Sequence, residues 1–334
     1  MVFLNILVMK KRKESQFKWL KRLTHQHKHC AFTDLQYFNG KLYCCYRKAT
    51  DHVSGDGIIV IIALNKDGQC LFQQRLIETD ADLRDPKLVT CPNNGLLLLA
   101  YARYRDENNK TIATSNLTWH SSTGETWSSA TNLNMNLWWL WRVKYSNQHN
   151  SIAYGLAYRR IEDRLDLYSG DPRRKMALLQ RGVISKLTHQ LGYPNESDLY
   201  IDEDQTLHAI VRRDADSFTA QYGLAKPPYS RWHWFDLGEY IGGPVWQPLT
   251  DNVYLVGGRC WTGKALYTRL WLFDRVKCAL TVFDTLPSAG DNSYPGISII
   301  KQHVYVSYYS SHVDDCSEIY LACYAIKDVL KEIE

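Results

Sequence analysis

Arginines that end a repeated, strand-like pattern are the residues of this chain with the clearest chemistry. Five short apolar runs close on arginine and a sixth closes on tyrosine, at Arg47, Arg103, Arg159, Arg212, Arg259 and Tyr309. Guanidinium groups bind carboxylates through paired N–H bonds, so arginines that converge on one point form an anion site. A single arginine at a strand end more often extends into solvent. Five at the same position of a repeat favour convergence.

A second set of residues opens the strand that precedes each of the last five runs. It comprises Arg84, Trp141 with Arg142, Glu196, Gly242 with Gly243, and Tyr294. In an antiparallel hairpin, the start of one strand lies beside the end of its partner. Both sets therefore come to the same end of their hairpins. If the hairpins stand in a ring, the five arginines join the second set in one arginine-rich mouth, to which the second set contributes one Glu and one Tyr.

Six copies of one hairpin pattern run along the chain, and they supply the ring. Each copy is an alternating apolar run behind a turn residue, and the copies start at Gly40, Gly95, Ser151, Gln205, Asn252 and Gln302. Their spacing is 55, 56, 54, 47 and 50 residues. Short polar connections such as NG and TDN precede the runs, as in β-hairpins. Six units of about 50 residues, with three or four strands each, predict a six-bladed β-propeller.

The composition agrees with an all-β domain. Of 334 residues, 45% are hydrophobic and 22% are charged, which is near the globular average, and 22 Tyr, 11 Trp and 9 Phe favour strands. The longest apolar runs reach about eight residues, far below the ~20 that a membrane helix needs. No amphipathic helices separate the strands, which excludes a parallel α/β fold.

The cysteines and histidines give no sign of a metal site. Nine cysteines are an odd number, and they include no CxxC pair, so we expect reduced thiols. His25, His27 and His29 alternate near the amino terminus, where we expect adventitious metal contact at most. We therefore expect no metal and no cofactor. The apolar start precedes its basic residues, the reverse of a secretory signal, so a cytoplasmic location is expected.

The net charge of +5 is concentrated at the amino terminus. Residues 1–30 contain eight Lys or Arg and one Glu, so the rest of the chain is close to neutral. Such a tail can contact nucleic acid or acidic lipid, but a solubilising role is commoner, and we expect no nucleic-acid partner and no membrane span. We assign residues 1–30 to a basic segment and residues 31–334 to a single propeller domain. Helical patterns occur at residues 9–23 and 327–334.

Four short motifs give the chain a resemblance to the sialidase superfamily. LRDP at residues 83–86 resembles that family's (F/Y)RIP motif, and NSYPGI at residues 292–297 resembles the segment with the nucleophilic tyrosine. NES at residues 195–197, with Arg212 sixteen residues after Glu196, is similar to the family's Glu-then-Arg blade. SSTGETW at residues 121–127 resembles an Asp-box of BNR type. Uncharacterised bacterial sialidase-like proteins are the kin that the resemblance suggests.

The resemblance implies roles for five residues of the mouth. Arg84, Arg212 and Arg259 would form the arginine triad that binds a substrate carboxylate. Tyr294 would be the nucleophile. Glu196 would be the base that removes the phenolic proton, because a neutral tyrosine with a pKa near 10 is a poor nucleophile. This use of tyrosine is an exception among glycosidases, most of which use two carboxylates.

Two of the three arginine assignments have a neighbour as the alternative. Arg213 follows Arg212 directly, and strand alternation sends only one of the two to the mouth. Arg269 lies upstream of Tyr294, as Arg259 does.

The acid that protonates the leaving oxygen lies, in the family, on a loop after the first arginine. Here that loop suggests Asp106, with Glu107 as the alternative. Three departures from the family pattern concern other positions: Asp85 stands where isoleucine is usual, Pro295 follows the tyrosine, and Ser122 replaces the acid of the Asp-box. None of them removes a catalytic group.

The function that the resemblance implies is hydrolysis of a terminal sialic acid or another carboxylated sugar by an exo-acting glycosidase. One alternative is a lectin-like propeller that binds an acidic glycan without cleaving it. Another is a protein-binding scaffold, which fold alone does not exclude. The aromatic run at residues 137–142 either stacks on a sugar or fills the core. The expected partner is a carboxylated sugar or glycan, bound by a monomer.

Overall fold

Six antiparallel sheets of four strands each make up the described part of the chain. The computed structural model describes residues 16–25, 28–93, 95–146 and 152–333. The sheets are the blades of a six-bladed β-propeller, so the prediction from the repeats is confirmed. In blades 1 to 5 the strands follow one another in chain order, and each is hydrogen-bonded to the next.

The strand bounds follow the chain from β1 (Trp19–Arg22) onward. Blade 1 contains β2 (His29–Phe38), β3 (Lys41–Ala49), β4 (Ile58–Leu64) and β5 (Cys70–Leu76). Blade 2 contains β6 (Ala81–Cys91), β7 (Gly95–Arg105), β8 (Thr111–Ser121) and β9 (Thr131–Asn132). Blade 3 contains β10 (Trp139–Tyr145), β11 (Ala153–Arg159), β12 (Arg164–Asp171) and β13 (Lys175–Ser185).

The second half of the ring continues the same order. Blade 4 contains β14 (Pro194–Ile201), β15 (Leu207–Arg213), β16 (Gln221–Ala225) and β17 (His233–Asp236). Blade 5 contains β18 (Gly242–Pro248), β19 (Val253–Trp261), β20 (Leu266–Asp274) and β21 (Ala279–Thr285). Blade 6 contains β22 (Asn292–Ile300), β23 (His303–Ser310), β24 (Glu318–Ala325) and β1. The helices are a 3-10 turn (Arg160–Glu162), α1 (Lys186–His189) and α2 (Ile326–Leu330).

The strand β1 closes the ring, and this differs from the sequence prediction. The sequence pattern predicts a helix over residues 9–23, but Trp19–Arg22 pair with Tyr320–Cys323 of β24 as the fourth strand of blade 6. The open edge of β24 offers unpaired N–H and C=O groups, and pairing with them outweighs a local helical pattern. The basic segment assigned to residues 1–30 thus contributes a strand to the propeller. Residues 1–15 lie outside the described residues.

Hydrophobic side chains fill the interfaces between blades. Each of the six hydrophobic clusters of the described residues joins neighbouring blades, as Leu35 of blade 1 and Leu321 of blade 6 show. A single blade leaves both of its faces exposed, whereas a closed ring buries both.

A β-bulge near the start of the innermost strand recurs in all six blades. The bulges lie between Ala31/Asp34, Arg84/Lys87, Leu140/Arg142, Pro194/Ser197, Gly242/Val245 and Ser293/Gly296. A bulge interrupts the alternation of side chains and redirects the bulged residue. Phe32, Trp141 and Tyr294, which are bulge residues of blades 1, 3 and 6, share one buried cluster. The bulges therefore direct their side chains toward a common point.

Further findings on the fold concern its helices and its cysteines. No helix among the described residues is long and apolar enough to span a membrane. All nine cysteines are free thiols. The α2 helix lies within the predicted range of residues 327–334 apart from its first residue.

Candidate active site

A tyrosine of blade 6 meets a glutamate and an arginine of blade 4 at the mouth of the propeller. The hydroxyl of Tyr294 donates a hydrogen bond to Oε1 of Glu196 at 2.7 Å. Nη1 of Arg212 donates to the same hydroxyl at 3.0 Å and lies 2.7 Å from Oε2 of Glu196. The three residues lie on β22, β14 and β15, so the closed ring brings together positions that are about 100 residues apart in sequence.

The local backbone holds Tyr294 in this position. Its φ is +47°, inside the bulge of β22, and its carbonyl accepts a hydrogen bond from the hydroxyl of Thr33 at 2.8 Å. Its ring contacts Phe32, with centroids 5.2 Å apart, and Trp141, at 6.0 Å. Gly243 has a φ of +58°, and a Cβ atom there would lie 2.7 Å from Cδ1 of Tyr294. Only glycine at this position leaves room for the ring.

Gly243 also supports the glutamate. Its backbone N–H donates to Oε2 of Glu196 at 2.7 Å. Burial alone would raise the pKa of Glu196, but the Arg212 guanidinium and the hydrogen bonds from Tyr294 and Gly243 outweigh it, and the pKa lies below its ordinary value. Glu196 is therefore a carboxylate at neutral pH. Only 7% of Tyr294 is exposed, and burial together with the Glu196 charge raises the pKa of its phenol well above the usual value.

The other two arginines of the predicted triad flank this centre. The guanidinium of Arg259 lies 4.9 Å from the centroid of the Tyr294 ring, and its Nη2 donates to the hydroxyl of Tyr309 at 2.8 Å. The guanidinium of Arg84 lies 5.6 Å from the centroid of the Phe32 ring, which itself packs on Tyr294. The structure thus brings Arg212 and Arg259 into contact with the tyrosine, and it places Arg84 one ring farther away, against Phe32.

Each of these arginines has an acidic partner, yet each keeps a free donor. Ion pairs join Arg84 to Asp82 at 3.2 Å, Arg212 to Asp214 at 3.0 Å and Arg259 to Asp291 at 3.3 Å. Among the described residues, Nη2 of Arg212, Nη1 of Arg259 and Nε of Arg84 have no hydrogen-bond partner. The acids orient the guanidinium groups, and the remaining N–H groups are available to an anion.

Arg213 and Arg269, the alternatives to Arg212 and Arg259, have their hydrogen-bond partners outside this centre. Arg213 is 1% exposed, donates to the Gly192 carbonyl and pairs with Asp216, so it braces a loop. Arg269 donates to Thr285 on the neighbouring outer strand.

The prediction that five arginines share one position of the repeat is wrong. Arg47 and Arg259 pair with the residue just before a bulge, as Arg213 does, while Arg212 lies opposite the bulge itself. Arg103 and Arg159 lie two residues after the position that pairs with the residue just before the bulge. The single-residue offset of each bulge shifts the alternation, and sequence spacing does not reveal where the shift occurs.

Both acid candidates lie in the turn between β7 and β8. The carboxylate of Asp106 accepts hydrogen bonds from the backbone N–H groups of Asn108 at 3.0 Å and Lys110 at 2.8 Å. Glu107 is exposed in the same turn. In the described part of the chain, neither side chain contacts Tyr294 or the arginines. The prediction that one of them protonates the leaving group stays a prediction.

A histidine pair beside Arg259 is a feature that sequence reasoning missed. Nε2 of His29 and Nδ1 of His52 lie 2.8 and 2.7 Å from Oδ2 of Asp291, and the three ligand atoms lie within 4.8 Å of one another. These residues could hold a metal ion. As they stand, both imidazoles hydrogen-bond the carboxylate, and they lower the pKa of Asp291 against the effect of burial. The group therefore acts as an anchor for Arg259.

The comparisons with known proteins show a shared fold at low sequence identity. No protein-family model matches the chain, and no curated protein matches it. A protein of unknown function from Dyadobacter fermentans has a TM-score of 0.73 at 15% identity, covering 91% of this chain and 98% of its own. The NanB sialidase of Streptococcus pneumoniae has a TM-score of 0.67 at 10% identity, covering 94% and 71%. An α-L-arabinanase of Penicillium chrysogenum has a TM-score of 0.65 at 12% identity, covering 94% and 97%.

These similarities establish a sialidase-like propeller, a fold that glycoside hydrolases share.

Proposed function

We propose that this protein is a retaining exo-glycosidase of sialidase type, which removes a terminal carboxylated sugar with Tyr294 as the nucleophile. The observation that carries the proposal is the 2.7 Å hydrogen bond from the Tyr294 hydroxyl to Glu196. A phenol needs a base within hydrogen-bond distance to attack at neutral pH, and Glu196 meets that condition as an ionised carboxylate.

The chemistry requires two displacements at the anomeric carbon. In the first, Glu196 takes the phenolic proton, the Tyr294 oxygen bonds to the anomeric carbon, and the glycosidic oxygen leaves with a proton from an acid. In the second, the deprotonated acid takes a proton from water, the water oxygen bonds to the anomeric carbon as the Tyr294 oxygen leaves, and Glu196 returns its proton to the phenolate. Arg212 donates to the phenolic oxygen and so stabilises the negative charge that develops there.

The free donors of the arginines favour a substrate with a carboxylate. A neutral phenol as the nucleophile suits such a substrate, because a carboxylate nucleophile would repel the substrate's own charge. Arg212 and Arg259 contact Tyr294, and Arg84 lies against Phe32, which packs on the same ring. A carboxylate bound by these arginines would place the adjacent anomeric carbon near the phenolic oxygen. Sialic acid, whose carboxylate is attached to the anomeric carbon, fits this arrangement.

Fluorogenic hydrolysis of 4-methylumbelliferyl-N-acetylneuraminic acid tests the proposal. We expect turnover by the wild type and a loss on the order of 10³-fold or more in Tyr294→Phe. Tyr305→Phe is the matched control, because Tyr305 is a buried tyrosine of the neighbouring strand β23 whose hydroxyl donates to the Lys66 carbonyl, away from the mouth. Equal turnover in Tyr294→Phe would contradict the proposal. Saturable binding of sialic acid without turnover would select the lectin-like alternative.

A further inference from the structure

Asp85 carries a buried carboxylate without a hydrogen bond. The residue is 6% exposed, and no hydrogen-bond donor among the described residues reaches its side chain. Neither of its carboxylate oxygens is among the solvent-inaccessible unpaired atoms of the described residues, so both keep some contact with solvent. The backbone is also unusual there, with a φ of +47°. A ligand that enters the mouth can therefore reach this carboxyl group and form the hydrogen bond that the protein does not supply.

The position of Asp85 in its blade is that of Tyr294 in blade 6. Asp85 directly follows Arg84, the last paired residue before the bulge of β6, as Tyr294 directly follows Ser293 before the bulge of β22. The corresponding bulge residues of blades 1 and 3, Phe32 and Trp141, both contact the Tyr294 ring. The bulge of β6 thus presents Asp85 to the same mouth.

The titratable and charged groups that face Asp85 come from four strands besides its own. They are Arg84 and Lys87 on β6, Arg47 on β3, Glu196 on β14, Tyr294 on β22 and Tyr158 on β11. Burial raises the pKa of Asp85, and the Glu196 charge raises it further, while Lys87 and Arg84 oppose both effects. The net pKa lies above the ordinary value. Asp85 and Glu196 are therefore two carboxyl groups of one site whose pKa values are displaced in opposite directions, the pattern of an acid and a base.

We propose that Asp85 is the general acid that protonates the leaving oxygen, a role that rests on the proposed glycosidase function. As the bond between the anomeric carbon and the glycosidic oxygen breaks, the Asp85 proton passes to that oxygen and a carboxylate remains. In the second displacement, the carboxylate takes a proton from the attacking water, whose oxygen bonds to the anomeric carbon as the Tyr294 oxygen leaves. Asp85 is then protonated again.

Asp106 is the competing candidate, and its contacts favour another role. Its carboxylate is already occupied by two backbone N–H groups of its own turn. Such bonds hold the side chain to the loop. Asp85 has neither restraint.

The test compares Asp85→Asn with Asp106→Asn on two substrates that differ in their leaving group. Sialyllactose has a poor leaving group that needs protonation, and the 4-methylumbelliferyl sialoside has a good one. We expect Asp85→Asn to lose on the order of 10²- to 10⁴-fold in kcat/KM on sialyllactose and far less on the aryl sialoside. Azide, which needs no base, should restore turnover of the aryl sialoside by this variant. Asn tolerates positive φ as Asp does, so the variant should fold, which thermal unfolding checks.

Any of these results would overturn the inference. Asp106→Asn could show the loss that depends on the leaving group while Asp85→Asn does not. Asp85→Asn could lose activity equally on both substrates through KM, which would make Asp85 a binding residue. A wild type that hydrolyses neither substrate would refute the glycosidase function itself. An active wild type in which Asp85→Asn has no such effect would refute only the role of Asp85.

Discussion

The bulges of blades 2 and 6 place two ionisable residues in the same local conformation with opposite surroundings. Tyr294 and Asp85 both have a φ of +47° at the same position of the repeat. The Tyr294 hydroxyl bonds to Glu196 and Arg212, whereas the Asp85 carboxylate has no hydrogen bond among the described residues. The same backbone conformation thus holds two side chains whose surroundings differ. A side chain held by fixed partners has its orientation and protonation set in advance, and a side chain without them is left to exchange a proton with a ligand.

The first prediction removes the partner that distinguishes Tyr294. Glu196→Gln keeps the shape of the side chain but cannot accept the phenolic proton, so we expect a loss of activity on the order of 10²- to 10⁴-fold. Because the two residues act as a unit, Glu196→Gln combined with Tyr294→Phe should be little worse than Tyr294→Phe alone. Steady-state hydrolysis of the aryl sialoside measures both.

The control for this prediction is Glu125→Gln, since Glu125 is a half-exposed residue that pairs with Lys41 outside the mouth. Activity in Glu196→Gln equal to that of Glu125→Gln would mean that the hydrogen bond to Tyr294 has no part in the reaction.

The second prediction moves the Tyr294 ring without changing its chemistry. In Gly243→Ala the new Cβ would lie 2.7 Å from Cδ1 of Tyr294, so the ring must shift. A displacement of about 1 Å at a reacting group can cost on the order of 10²-fold. Gly238→Ala is the matched control, because Gly238 has a φ of +68° and a Cβ atom there would have nothing within 4 Å. Both variants carry backbone strain of about 1–2 kcal/mol, but only the first should lose activity.

The third prediction compares Glu196 with Asp85 through the pH dependence of the protein's stability. The lowered pKa of Glu196 means that its charge stabilises the fold above the ordinary Glu pKa, and this is lost as the pH falls through the lowered value. The raised pKa of Asp85 acts oppositely: its charge destabilises the fold as the pH rises from the ordinary Asp pKa through the raised value. We therefore expect Glu196→Gln to be most destabilising at neutral pH and Asp85→Asn to become stabilising there, each by about 1 kcal/mol or more.

Thermal unfolding of the two variants and the wild type between pH 4 and pH 8 checks these signs. A parallel pH dependence of the two variants would mean that the two carboxyl groups do not differ as the structure indicates.

The sequence predicts the six blades better than it predicts which side chains face the mouth. Hairpins at a regular spacing predict the blades, and the ring then brings Tyr294, Glu196 and Arg212 together. The closing strand β1 was missed, because its pairing with β24 bridges the two ends of the chain and leaves no local pattern.

The position of Asp85 at the mouth was missed for a different physical reason. Simple alternation along β6 does not reveal which side chains face the mouth, because the bulge after Arg84 shifts the register. The clustering of His29 and His52 on Asp291 likewise depends on three segments that are distant in sequence. Bulges and contacts between distant segments are therefore what sequence patterns did not resolve here.

Trapping of the covalent intermediate tests the central claim, that Tyr294 is the nucleophile, most directly. In 2,3-difluorosialic acid, the fluoride at C2 leaves and the fluorine at C3 slows release of the sugar, so a glycosylated enzyme should accumulate. We predict one fluorosialosyl group per chain, located by peptide mass spectrometry on Tyr294 and absent from Tyr294→Phe. A label on another residue, a label that persists in Tyr294→Phe, or an unlabelled wild type would contradict the claim.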